Sequence, residues 1–248
     1  MSFLIIGTIL AIFGSASCAW GDHIENQVFF ILGLVLVAAG ITFACVGVFK
    51  NYKAKVKKKN EKVNTIRLAL TALLLALGAA LSMVKVFEMP LGGSITLCSM
   101  LPVTLISIEY GLGWGLSSAF IYSIVQFGLS FGAVFGWGLS PAAVVGCILI
   151  DYILAYTSLG FAGLFRKKGT VGICIGIFIA LLFRYIFHII SGTIIFDIWM
   201  PEEWSSPLLY SICYNGAYML PEFIITMVVA VLLFKAPQFN KLVESNLE

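Results

Sequence analysis

The sequence predicts an all-α integral membrane protein: a six-helix bundle preceded by a two-helix transmembrane hairpin. Three observations carry this. Of 248 residues, 60% are apolar and only 11% charged, where a water-soluble domain carries roughly a quarter charged, and the mean hydropathy is +1.04. The apolar residues fall in blocks of about 20, the length at which a helix crosses the roughly 30 Å hydrocarbon layer. The basic residues collect between blocks, mostly on one side of the implied topology.

The blocks set the elements in order. Spans at 2–20 and 27–49 form the hairpin, domain 1–49. Residues 2–17 before Cys18 mimic a lipoprotein signal but lack its basic start, so the first span is read as an ordinary one. Residues 50–65 are a basic cytoplasmic linker: eight of the 15 Lys and Arg lie between Lys50 and Arg67. Flanked by membrane spans, that run reads as a loop touching anionic lipid, not as a nucleic-acid site. The six-helix body at 66–235 comprises spans at 66–84, 95–109, 113–131, 140–165, 171–196 and 208–234, and a cytoplasmic tail follows at 236–248. The span at 95–109 is short and contains Pro102, so it is expected to be tilted or broken, which is tolerated only beside protein or a cavity.

Acidic loops without Lys or Arg, such as 20–27 with Asp22 and Glu25, face outward. Basic loops, such as 166–168, face inward. Both termini are then cytoplasmic, in a multi-pass plasma-membrane protein. The six cysteines are scattered through apolar segments with no CxxC pair or metal-ligand spacing, so neither a disulfide framework nor a metal or cofactor is expected. Nor is there a GxxxxGK[ST] phosphate loop, an HExxH or a GxSxG, which argues against an ATPase or an enzyme.

Ionisable residues at membrane depth carry the functional signal, because a charge there costs at least about 2.5 kcal/mol unless it has a partner. Asp151, Arg184 and Glu222 each lie about halfway along a span of the body. Two readings follow. Arg184 pairs with one or both acids as structural glue, or one carboxylate is left for a cation or an amine, two acids against one base giving a surplus negative charge. Around them, Arg184, His188 and Gly192 recur every four residues and share a helix face, as do Tyr210, Tyr214, Tyr218 and Glu222, with Asn215 beside them. Tyr152 adjoins Asp151, and Tyr122 and Gln126 are four apart. Aromatic faces with a few fixed polar groups describe a pocket for a planar, hydrogen-bonding solute, and such faces attract cations. Separately, each feature is also compatible with an interfacial aromatic belt or with helix packing.

Two further features stand outside this cluster. The outer loop at 89–97, with Gly92, Gly93 and Ser94, has the backbone freedom to fold over the pocket as a lid. Ala72, Ala76 and Ala80 form a small-residue stripe that admits a close partner helix, and Gly128, Gly132 and Gly136 repeat the spacing.

The stretches PLGGSITL at 90–97, MLPVTLIS at 100–107, LIDY at 149–152, RYIFHIISG at 184–192 and YSICYNGAYMLP at 210–221 resemble, in order and spacing, the thiamine-specific S-components of energy-coupling-factor (ECF) transporters, especially the Bacillus-type branch. The resemblance covers about 66–240. It implies a six-helix, noncatalytic binding subunit with a high-affinity thiamine site near the outer face. It also implies a transmembrane coupling subunit docked on the Ala72, Ala76 and Ala80 stripe, and two ATPase subunits on separate chains. By motif the ligand contacts are Asp151, Tyr152, His188, Tyr210 and Asn215, with Gly192 on the same face. Phe196 stands where relatives have a stacking Trp, and some members carry Glu at the position of Asp151. The hairpin at 1–49 and the linker are not part of the usual core, and Glu109 and Glu222 match no family role. The rival readings are an S-component for another vitamin or a thiamine precursor, and a stand-alone transporter using Asp151, Arg184 and Glu222 as a proton relay.

Overall fold

Prolines and serines set where the helices begin. Pro102, Pro141 and Pro207 all fall in a first helical turn, where the missing N–H costs nothing. Ser140 and Ser206 cap two of these starts, accepting from Ala143 N at 3.3 Å and Leu209 N at 3.4 Å. A computed structural model describes residues 65–236. The predicted hairpin at 1–49, the linker as far as residue 64 and the tail from residue 237 lie outside the described residues.

In chain order the elements are α1 (Thr65–Met83), β1 (Lys85–Glu88), β2 (Ser94–Thr96), α2 (Leu101–Tyr110), α3 (Leu112–Gly136), α4 (Pro141–Cys147), α5 (Ala155–Thr157), α6 (Gly169–Ile194) and α7 (Pro207–Lys235). Ile148–Leu154, between α4 and α5, winds as a π-helix, and Ser158–Lys168 continues as a tighter 3-10 helix. Leu139–Leu149 belong to a separate compact unit. Thr65–Gly138 and the chain from Ile150 onward form the body that carries the site.

Among the described residues, Leu112–Gly136, Pro141–Ile194 and Pro207–Lys235 are long and apolar enough to cross a membrane. The 54 residues of the second would span far more than one bilayer as a single rod. The chain turns back at Gly169, whose φ of +65° suits glycine, and α6 then packs on the segment it has left. The body inverts the soluble pattern. Large apolar side chains face outward, with Leu73 64%, Val171 72% and Leu232 63% exposed, while Thr104, Ser107, Ser123 and Glu222 are fully buried. The protein is thus an all-α, multi-pass membrane protein. Its core joins α2, α6 and α7 through Val103, Ile177, Leu181 and Met219. Ser107 ties α2 to the 3-10 segment, donating to Gly160 O and accepting from Gly163 N at 3.0 Å.

Two expectations need correction. The span drawn at 95–109 is a ten-residue helix, α2, because residues 94–96 are strand, and Pro102 helps start this helix instead of breaking it. The span at 140–165 is not one regular helix but α, π and 3-10 turns in succession, ending in the close approach of Gly160 and Gly163 to α3 and α2. The outer loop, for its part, is the end of an antiparallel hairpin pairing Phe87 with Ile95 and Glu88 with Ser94, closed by Met89 N donating to Gly93 O at 2.6 Å.

Candidate functional site

Asp151 sits in the π-helical turn, where an extra residue per turn re-aims side chains, a device common at functional sites. Its carboxylate is held by α6. Oδ1 lies 2.9 Å from His188 Nδ1, and Oδ2 accepts from Ser191 Oγ. The other imidazole nitrogen faces Arg184, whose Nε donates to His188 Nε2 at 3.3 Å. An arginine Nε can only donate. Nε2 must therefore accept, which places the imidazole proton on Nδ1, pointing at Asp151. The result is a relay of oriented groups, Arg184 to His188 to Asp151, with the carboxyl group accepting twice. Asp151 and His188 side chains are only 13% and 11% exposed.

Arg184 pairs with neither acid. Its guanidinium carbon lies 4.3 Å above the Tyr156 ring, a cation–π contact, and its Nη1 is buried without a hydrogen-bond partner. Glu222 faces elsewhere, both its oxygens accepting from Thr96: N at 2.6 Å and Oγ1 at 2.6 Å. The surplus of two acids over one base is thus not gathered at one point. The cluster around Asp151 holds one acid and one base.

From α7, Asn215 Nδ2 donates to Ser211 O at 2.9 Å and to His188 O at 3.3 Å across to α6, while its Oδ1 accepts from Tyr218 OH at 2.7 Å. The amide is fully oriented by these partners. Gly192 explains how α6 and α7 come so close. A Cβ there would overlap Ser211 Oγ and sit 3.2 Å from Asn215 Nδ2. The Tyr218 ring stands edge-on to His188 with centroids 6.3 Å apart. Tyr152 is stacked with Tyr156 at 6.2 Å and edge-on to Phe127 at 5.5 Å.

Asp151, His188, Gly192, Asn215 and Arg184 therefore meet, with Tyr152 reaching them through Tyr156. Phe196 and Tyr210 stand in neighbouring aromatic groups. Phe196 lies between Trp137 (5.4 Å) and Trp199 (5.6 Å), and Tyr210 between Trp204 (5.5 Å) and Tyr214 (5.8 Å). Tyr122 and Gln126 are buried and engaged with each other and with α1: Gln126 Nε2 donates to Tyr122 OH at 2.6 Å and to Ser82 Oγ at 2.9 Å. Sequence reasoning named Tyr218 on the α7 face but missed Ser191, Ser211 and Tyr156 as members of the network. Ser191 lies three residues after His188, Tyr156 four after Tyr152 and Ser211 four before Asn215, so helical spacing from residues already chosen would have found all three.

The hairpin leans on α7. Tyr214 OH donates to Pro90 O and accepts from Gly93 N at 3.3 Å, and a Cβ on Gly93 would stand 2.7 Å from the Tyr218 ring. Gly92, at φ +94°, lies against Trp137. Ser94 is paired within the hairpin to Glu88. On the outside of α1, Ala72, Ala76 and Ala80 are all exposed, and Gly132 and Gly136 of α3 have open space beside them.

Comparison with known proteins bears on all of this. The family model described as thiamine transporter protein (Thia_YuaJ) matches residues 68–241. The thiamine transporter ThiT of Bacillus subtilis is 33% identical over 198 residues, which is 73% of this chain and 97% of that protein. A solved structure of ThiT from Listeria monocytogenes shares the fold at a TM-score of 0.56 and 22% identity, covering 71% of this chain and 97% of that one. The match runs through every helix of the body, and the chain belongs to the thiamine transporter protein family.

Proposed function

We propose that this chain captures thiamine noncovalently at the Asp151 cluster as the membrane S-component of an ECF transporter. One observation carries the reading: the Asp151 carboxyl group, oriented by His188 and Ser191, lies among tyrosine rings inside a helical membrane bundle. Thiamine is the complement of that arrangement. Its thiazolium ring is cationic, its aminopyrimidine ring donates and accepts hydrogen bonds, and both rings are flat. The names of the relatives agree.

In this reading Asp151 meets the thiazolium or the exocyclic amine. Tyr152, His188, Phe196 and Tyr210 supply ring contacts, Asn215 is the polar anchor, Gly192 keeps the helices close, and Arg184 holds His188. Tyr122 and Gln126 support the wall behind Tyr156, and the hairpin at Gly92, Gly93 and Ser94 covers the entrance from outside. The chain makes and breaks no bond. Energy comes from two ATPase subunits through a coupling subunit that docks on Ala72, Ala76 and Ala80. The protein lies in the plasma membrane with both termini cytoplasmic.

Titrating thiamine into purified wild type and Asp151→Ala tests the site. Saturable binding that is lost in the variant is expected, and equal affinity in the two would overturn the assignment. Uptake into vesicles with and without the ATPase subunits tests the energising partner. Uptake without them would favour a stand-alone transporter.

A further inference from the structure

Among the described residues, Glu222 is the one acidic or basic side chain midway along a span that the proposed binding reaction leaves unused, and it is fully buried. Burying a carboxylate is costly unless its oxygens are satisfied, and here a single residue satisfies both. Thr96 donates to Glu222 through its backbone N–H and through its hydroxyl, each at 2.6 Å, and Ser99 Oγ lies 2.7 Å from the same hydroxyl. Thr96 is the last residue of β2, the root of the hairpin where it re-enters the bundle.

A second observation concerns that root. Cys98 has φ +56°, the left-handed region that a residue bearing Cβ adopts at a cost and keeps only when its surroundings impose it. The turn from Thr96 into α2 is therefore strained, and the Glu222 carboxylate is the contact that pins its first residue from outside. A third observation concerns direction. Tyr214, Tyr218 and Glu222 recur every four residues on α7 and so share a face. Along this face Tyr214 holds the hairpin tip at Pro90 and Gly93, Tyr218 abuts Gly93, and Glu222 holds the root. Tyr218 also bonds Asn215 and stands against His188. The tip contact is neutral and partly exposed. The root contact is fully enclosed, where its hydrogen bonds do not compete with water, and hence the stronger of the two.

We propose that Glu222 is a positioning residue for ligand capture: it fixes the hairpin root to the helix that carries Asn215 and Tyr218, leaving the tip at Tyr214 as the part that lets go. The hairpin is then a flap on a fixed hinge, not a loop free at both ends. This rests on the thiamine-binding reading for its kinetics but not for its structural half.

The experiment uses the full-length protein in lipid nanodiscs. Glu222→Leu, Thr96→Val, Glu222→Gln and Tyr214→Phe are compared with wild type by stopped-flow tryptophan fluorescence with thiamine, and by amide hydrogen exchange without ligand. Loss of both buried hydrogen bonds to Thr96 predicts about a tenfold faster thiamine dissociation in Glu222→Leu, with association unslowed, and about tenfold faster exchange over residues 94–99. Thr96→Val, which keeps the N–H bond, moves both in the same direction by less. Glu222→Gln, whose amide oxygen still accepts from Thr96 N and whose NH2 can meet the hydroxyl, stays within about twofold of wild type. Tyr214→Phe speeds exchange at 89–93 and leaves 94–99 unchanged. The proposal is overturned if Glu222→Leu lowers only the fraction of active protein with rate constants unchanged, or if exchange at 94–99 matches wild type. If Glu222→Leu fails to fold, Thr96→Val decides by the same two readouts. If wild type binds no thiamine, the ligand reading fails while exchange still decides the hinge.

Discussion

Gly192→Ala adds one methyl group at the closest approach of α6 to α7, and its effect can be worked through atom by atom. The new Cβ overlaps Ser211 Oγ and comes within 3.1 Å of Ser211 Cβ and 3.2 Å of Asn215 Nδ2. Ser211 cannot rotate away freely, since its hydroxyl donates to Ile189 O at 2.9 Å and accepts from Asn215 Nδ2 at 3.1 Å. Either both bonds break, at about 1 kcal/mol each, or the helices separate, an overpacking strain of about 1–3 kcal/mol. The Asn215 amide loses its orientation in both cases. If about 2 kcal/mol of this reaches the bound state, thiamine affinity falls roughly 30-fold. Isothermal titration on purified protein measures it, with thermal unfolding in parallel. The double variant Gly192→Ala with Ser211→Ala removes the clashing oxygen and restores affinity to the level of Ser211→Ala alone. Unchanged affinity in the single variant, or no recovery in the double, would refute the close-approach account.

Other expectations follow from the same geometry. Asp151→Asn keeps the shape but turns one acceptor into a donor, facing either His188 or Ser191; thiamine affinity should drop about 100-fold, at roughly 3 kcal/mol for charged hydrogen bonds, as read by titration. Arg184→Met removes the donor to His188 Nε2 while Asp151 still accepts the Nδ1 proton. Nitrogen NMR of labelled His188 should then keep the Nδ1-protonated pattern with the Nε2 resonance shifted, whereas a spectrum identical to wild type would dismiss that contact. Tyr122→Phe deletes the acceptor for Gln126 and should lower unfolding stability by about 1 kcal/mol with thiamine affinity within about threefold of wild type; a larger loss of affinity would place Tyr122 against the ligand.

Much of the bundle was legible because a bilayer makes the sequence signal strong. A run of apolar residues the length of a membrane crossing is hard to mistake, and the buried charges stand out against it. Asp151 and Arg184 were singled out because a charge is expensive in that setting, His188 because spacing by four puts it on one face with Arg184 and Gly192, and Asn215 because it lies beside the tyrosine stripe. What stayed hidden was local geometry or long-range pairing. Nothing in the residues 148–154 announces a π-helix, since the winding follows from how that stretch packs. Glu222 and Thr96 are 126 residues apart in the chain, so counting charges along helices left the partner of Glu222 open. The hairpin was masked because β1 is fully exposed and carries no alternation of apolar and polar burial.

Arg184 and Asp151 carry opposite formal charges and are linked through one imidazole. From a nanometre away the pair is a dipole, not an anion, and its field dies quickly with distance. A cation in the surrounding water thus feels little pull until it touches the carboxylate itself. Recognition on this wiring is short-ranged, so added salt should barely alter how fast or how tightly the ligand is taken up, unlike at an open acidic surface. Selectivity then rests with the fit of the rings, while charge has its say only at contact.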